Sequence, residues 1–111
     1  MTENESKSIG VFSNDYQNFT ATTQTEGSKS FHYLMFGLTS EVGELAGLEK
    51  RIVREKQGVR SAEDVESAKK ELGDIAWYVA RLADFYGFQL SDVFAANVKK
   101  LADRKERGVI H

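Results

Sequence analysis

Not one of the 111 residues is a proline. Proline stops a helix by removing an N–H and colliding with the turn before it. Without it, long periodic stretches run on as helices, broken only at short polar or glycine-bearing interruptions. Apolar residues recur at helical spacing from Phe31 to Val53 and again from Val65 to Tyr86, with no comparable alternation of the kind a strand needs. A first helix is expected from Ser13 or Asn14, either of which can cap it, to about Gln24, followed by a turn at Glu26-Gly27-Ser28. A second runs from Lys29 to Lys56 and ends at Gln57-Gly58. A third runs from Ala62 to Tyr86, opened by Ser61 with Asp64 three residues on and closed by Gly87. Ser91 caps a fourth, which continues to Arg107 and stops at Gly108. The linker of about five residues between the second and third helices forces an antiparallel hairpin. The fold class expected is all-α, an antiparallel bundle of about four helices, with residues 1–12 a flexible polar lead-in and 13–108 a single domain.

Wheels sharpen the picture. With Glu41 at zero and about 100° per residue, Phe31, Leu34, Met35, Leu38, Val42, Leu45, Ile52 and Val53 span about 20° to 120°. With Glu71 at zero, Val65, Ala68, Leu72, Ile75, Val79, Leu82, Ala83 and Tyr86 cover the same arc. Two stripes of matching width are expected to face each other.

Charge and composition narrow the function. Fifteen Lys and Arg against 17 Asp and Glu leave a formal net charge of −2, which argues against coating a nucleic acid polymer or an anionic membrane. The absence of cysteine removes disulfides, thiolate metal sites and a cysteine nucleophile. No apolar run approaches a membrane span, and Met1 to Gly10 lack the apolar stretch of a secretion signal; a cytoplasmic protein is expected.

Glu41 and Glu44 stand three apart, as do Glu71 and Asp74, so each helix presents a neighbouring acidic pair. A chain that is 29% charged produces single E-x-x-E pairs freely as solvated surface. Here, however, the two pairs occupy matched wheel positions on adjacent helices. The first acid of each borders the apolar stripe and the second lies about 60° further out on the same side. If the borders meet, four carboxylates converge at the edge of the core, and a divalent cation relieves their repulsion. Oxygen-only ligation selects a hard ion, Mg²⁺ first and Mn²⁺ as its substitute. Magnesium bound by a few carboxylates commonly engages substrate phosphates as well.

The blocks E-V-G-E-L (Glu41 to Leu45), E-L-G-D-I-A-W-Y (Glu71 to Tyr78) and N-V-K-K-L-A-D-R (Asn97 to Arg104) are similar to those of the MazG-like nucleotide pyrophosphohydrolases of the all-α NTP pyrophosphatase superfamily. The D-Y-Q-N-F run (Asp15 to Phe19) and G-L-T-S-E-V-G-E (Gly37 to Glu44) add to the resemblance, which covers about residues 14–107. It implies a hydrolase that converts (deoxy)nucleoside triphosphates to the monophosphate and pyrophosphate; nucleotide-pool sanitation or pool adjustment is the role expected of it. It also implies that Glu41, Glu44, Glu71 and Asp74 are the catalytic acids and Mg²⁺ ligands. Asn97, Lys100 and Arg104 fall where the family places groups near the phosphates, and their i, i+3, i+7 spacing puts them on one helical face. The resemblance further implies a homodimer or homotetramer with sites completed by a neighbouring chain. Unlike many members, the chain carries no proline after its basic helix.

Trp77 falls almost opposite the apolar stripe, which fits contact with the first helix or a subunit interface, or else stacking on a nucleobase. Tyr78 lies one turn beyond Asp74, within reach of sugar or phosphate. His32 reads as structural or surface, and His111 as a disordered terminus. Gly37, Gly43 and Gly47 inside a helix point to close approach of another helix backbone, most simply across an oligomer interface. Two rivals remain open at this point: a non-catalytic helical interaction or oligomerisation protein, and a related pyrophosphohydrolase with another nucleotide substrate such as phosphoribosyl-ATP.

Overall fold

The computed structural model describes residues 12–109. Of the lead-in expected over residues 1–12 all but Phe12 lies outside the described residues, as does His111. Within them the chain is all-helical: α1 (Ser13–Thr22), a short 3-10 turn (Glu26–Ser28), α2 (Phe31–Lys56), α3 (Ala62–Phe85) and α4 (Leu90–Glu106). Helices α2 and α3 form the antiparallel hairpin, α1 packs on α3 and α4, and α4 packs on α1 and α3.

The hairpin turn is set by local chemistry. Gln57 and Gly58 both adopt positive φ, 55° and 80°, and the Gln57 and Gly58 amides close back on the Ile52 carbonyl, which ends α2. The Ser61 hydroxyl then accepts from the Asp64 amide at 3.1 Å while Asp64 accepts from the Ser61 amide at 2.9 Å, the reciprocal box that starts α3. Lys56 Nζ adds a 2.8 Å bond to the same Asp64 oxygen. Together these hold the Asp64 carboxyl at about 2, below its usual 3.8, the Lys56 ammonium first among the causes. A carboxyl depressed in the folded state stabilises the fold above 3.8 and loses that contribution as pH falls toward 2. Asp64→Asn is therefore expected to flatten the acid limb of a thermal-melt profile between those pH values; an unchanged limb would show that the box carries no linkage.

Two helix starts differ from expectation. Phe12, not Ser13 or Asn14, occupies the cap position of α1 and makes no side-chain cap bond. Asn14 is spent elsewhere: its Oδ1 accepts from the Ser91 amide and its Nδ2 donates to Ser91 Oγ, both at 2.9 Å. Gln17 Oε1 accepts from the Leu90 amide at 2.7 Å. The amides opening α4 are thus satisfied by α1, so Gln89 precedes α4 with no cap bond of its own and Ser91 is not the cap. Helix α1 ends at Thr22 rather than Gln24. The Thr20, Thr22 and Thr23 hydroxyls each donate to the carbonyl three residues back, a local alternative to the helical ladder.

The apolar stripes meet along a different line from the one expected. The buried residues of α2 are Leu34, Leu48 and Ile52, whose wheel positions cluster within about 20° of Glu41. Val42, Val53, Val65 and Leu72, at the far side of both stripes, stay 49% to 67% exposed. One facing helix cannot cover a 100° arc, so the hairpin closes along the edge of each stripe nearest the acids and leaves these four side chains open. The core of the chain is correspondingly small, with Ala80, Ala83 and Leu90 clustered where α3 meets α4 under Tyr16 and Val93.

Candidate metal and nucleotide site

That shift of the contact line decides the site. Because the hairpin closes through Glu41 and Glu71, these two carboxylates are drawn into the interface, half-buried, with Glu44 exposed beside them. Oxygens of Glu41, Glu44 and Glu71 lie within 4.8 Å of one another. Glu41 Oε2 and Glu71 Oε2 are buried and have no hydrogen-bond partner among the described residues. Facing carboxylates can bond one another only by sharing a proton. Accordingly the Glu41 carboxyl is pushed from the ordinary 4.5 to about 7, by burial first, then by the proton shared with Glu71 and by the charges of Glu44, Asp74 and Glu71. Asp74 completes the acidic set from the next turn of α3, close enough to act on Glu41, Tyr16 and Tyr78.

Orphaned buried acceptors need a donor or a cation. The donor set is all oxygen, which suits a hard divalent ion. Oxygens on opposite sides of Mg²⁺ stand about 4.2 Å apart, so a single small ion spans this cluster with little side-chain adjustment. The residues present fit such an ion.

Beside the acids opens a groove of about 350 Å³ lined by Thr23, Glu41, Asp74, Trp77 and Tyr78. The Trp77 indole N–H donates to Thr23 Oγ1 at 2.8 Å, so Trp77 does contact the end of the first helix, and its ring meets Tyr78 edge-on at 4.9 Å. Burial raises the Tyr78 phenol above its usual value, with Tyr33 next and the charges of Glu41 and Asp74 behind it. Tyr33, Tyr16 and Thr23 belong to this neighbourhood without having been singled out in the sequence. Tyr33 falls at about 280° on the α2 wheel, the flank of Glu44, a signal that was present; nothing in the pattern of α1 marks Tyr16 or Thr23.

Of the three glycines inside α2, Gly37 alone is approached among the described residues, and by a side chain rather than a helix backbone: a Cβ there would fall 2.2 Å from two carbons of the Tyr78 ring. Gly43 and Gly47 have nothing within 4 Å among the described residues. Gly37→Ala is expected to swing Tyr78 out of its place beside Glu41. Helix propensity favours the alanine by about 1 kcal/mol and overpacking opposes it by about 1–3 kcal/mol, so the melting temperature should drop and turnover with it. An unchanged melt and turnover would mean that the notch is idle. His32 is exposed against Phe31 and Phe36, a surface position as expected.

The basic face lies elsewhere in the chain. Asn97 and Lys100 are exposed and line a separate groove of about 570 Å³ with Phe88, Asp92, Val93 and Ala96. Arg104 is half-buried one turn further along α4. Helix α4 makes no contact with α2 among the described residues and packs on α1 and α3, and the groove that Asn97 and Lys100 line shares no residue with the one beside Glu41 and Asp74.

Residues 29–109, from just before α2 to just past α4, match the MazG nucleotide pyrophosphohydrolase domain. The chain belongs to this MazG family. A protein of Mycobacterium phage L5, called Gene 37 protein, is 46% identical over 78 residues, which cover 70% of this chain and 68% of that protein. No solved structure matches the chain. MazG membership carries nucleotide pyrophosphohydrolase-type activity as a general class and a general dependence on divalent metal, and Glu41, Glu44 and Glu71 form an acidic cluster of a size that could hold an ion. No helix among the described residues is long and apolar enough to cross a membrane.

Proposed function

We propose that this MazG domain, residues 13–108, hydrolyses (deoxy)nucleoside triphosphates to the monophosphate and pyrophosphate with Mg²⁺, in cytoplasmic nucleotide-pool sanitation. The observation that carries the reading is the pair of buried, unpartnered carboxylate oxygens of Glu41 and Glu71 in a cluster with Glu44. Mg²⁺ held by Glu41, Glu44, Glu71 and Asp74, or Mn²⁺ in its place, would supply charge neutralisation for the polyphosphate and acidity toward the attacking water.

The rest is work for the chain's own side chains. Glu41, whose carboxyl sits near 7 without metal, gives up its proton when the ion binds. Tyr78, held between Gly37 and Trp77, presents its hydroxyl toward sugar or phosphate, and the Trp77 ring offers a face to the nucleobase. Asn97, Lys100 and Arg104 approach phosphates from a neighbouring copy, since the groove that Asn97 and Lys100 line is separate from the one beside the acids. The open side chains of Val42, Val53, Val65 and Leu72 support that assembly, a homodimer or a tetramer built from dimers, because exposed apolar surface of this kind is normally covered.

The test is pyrophosphate release from a panel of dNTPs and NTPs with Mg²⁺ and with chelator. Mg²⁺-dependent release of one pyrophosphate per monophosphate is expected. Release of inorganic phosphate alone, or none from any triphosphate, would overturn the proposal, and no heat on titrating Mn²⁺ would point to the non-catalytic rival.

A further inference from the structure

Arg81 is 4% exposed, deep in the contact between α1 and α3, and the chemistry above does not use it. A buried guanidinium is tolerated only when its donors are met and a counter-charge is near. Here both conditions hold. Arg81 Nε donates to Thr20 Oγ1 at 2.9 Å, Nη1 to Gln24 Oε1 at 3.2 Å and Nη2 to the Gln17 carbonyl at 2.8 Å, and Nη2 also pairs with Asp84. Its three partners on α1 and the segment after it are spaced i, i+3 and i+7, one face. The only residues that α1 itself buries are polar, Gln17 and Thr20. Beside the apolar contact of Tyr16 with Ala80, Ala83 and Leu90, the register of α1 on α3 is therefore set by directed bonds.

The same bonds run on into the groove. Thr20, which accepts from Arg81, offers its carbonyl to the Thr23 hydroxyl at 2.9 Å. That hydroxyl in turn accepts the Trp77 indole N–H. Thr23 and Trp77, joined by that bond, make one wall of the groove that Glu41, Asp74 and Tyr78 also line.

We propose that Arg81 is a positioning residue for nucleoside recognition: by fixing α1 it sets the Thr23–Trp77 wall at the spacing from the acids that one class of nucleoside fits. The inference rests on the proposed function and deepens it, because it separates the groups that hold the polyphosphate from those that choose the nucleoside.

The experiment compares the wild-type chain with Arg81→Met, Arg81→Lys and Thr23→Val. The readouts are KM and kcat on the four dNTPs, Mn²⁺ binding by calorimetry, and tryptophan emission, which reports Trp77 alone because the chain has one tryptophan. Arg81→Met is expected to raise KM about tenfold and blur the preference among bases, with kcat within about twofold, Mn²⁺ binding unchanged and emission shifted to the red. Arg81→Lys keeps a charge without the fork and should recover part of the loss. Thr23→Val, which removes only the last link, should raise KM in the same direction. Wild-type KM and emission in Arg81→Met and Thr23→Val would overturn the inference, as would a fall in kcat with KM unmoved. If Arg81→Met does not fold, Thr23→Val decides: a raised KM supports the inference and a wild-type KM overturns it. A wild-type chain that hydrolyses no triphosphate overturns the proposed function as well, whereas an active one whose variants match it overturns this inference alone.

Discussion

Glu71→Gln and Glu41→Gln should each lower pyrophosphate release by about a thousandfold or more while raising the melting temperature of the metal-free protein. The two effects have one cause. Each substitution keeps the shape of the side chain but removes a charge from a pair whose Oε2 atoms are buried without partners. In the absence of metal and above pH 7, the Glu41 charge is opposed by Glu44, Asp74 and Glu71, so removing a charge from the pair stabilises the fold; an amide beside a carboxylate also supplies the donor that the shared proton supplies at lower pH. In the enzyme proposed above the same charge would be a ligand, and losing a ligand that positions and neutralises the reacting phosphates costs several orders of magnitude. Asp74→Asn should act in the same direction on activity with a smaller gain in melting temperature, since Asp74 is exposed. Pyrophosphate release and melting curves, with and without Mg²⁺, measure both sides. Retained activity in both Glu41→Gln and Asp74→Asn would reject the site, and a loss of activity joined to a loss of stability would mark the acids as structural.

The metal-free protein should become less stable as pH rises through neutrality, and divalent metal should reverse that trend. The Glu41 carboxyl titrates at about 7 in the folded chain against an ordinary 4.5. A group raised in the folded state contributes its stability fully below 4.5 and loses it as pH climbs through 7, because ionisation is opposed there by burial and by the neighbouring acids. Melting temperature in chelator is therefore expected to fall between those pH values. A metal that binds the ionised cluster displaces the proton, so its affinity should rise with pH and its binding should release protons into buffer. Calorimetry in buffers of different ionisation enthalpy at pH 6 and pH 8 measures the release. A flat melt profile in chelator, or metal binding without proton release at pH 6, would show that Glu41 is not held protonated. Glu41→Gln should abolish the slope.

Most of the architecture was legible because helical signals are local. The absence of proline, the Ser61–Asp64 box and the glycines that take positive φ at positions 58, 87 and 108 act within a few residues, and the ends of α2, α3 and α4 fall where those signals put them, to within two residues. The errors occurred where a neighbouring element supplied what the local sequence lacked. Asn14 looks like a cap for its own helix but satisfies the start of α4, and Ser91 looks like a cap but is one of the residues capped. No window of adjacent residues contains that exchange, since the partners are 77 positions apart.

The acids show the same division. Spacing put each pair on one helix face, and matched wheel positions put both pairs on the same side of their stripes. Spacing alone does not say along which line two amphipathic helices close, since a stripe wider than one helix can cover leaves a choice of contact edge. Packing chose the edge through Glu41 and Glu71, which half-buried two carboxylates and exposed three valines and a leucine. Arg81 is the clearest case: in a helical pattern it reads as one more surface charge, and only the seating of α1 makes it a buried anchor. Helix boundaries and acid pairing are short-range consequences of backbone geometry and are written in the sequence itself. The contact line, the Tyr78 notch at Gly37 and the Arg81 clamp depend on groups far apart in the chain, and only the tertiary structure decided them.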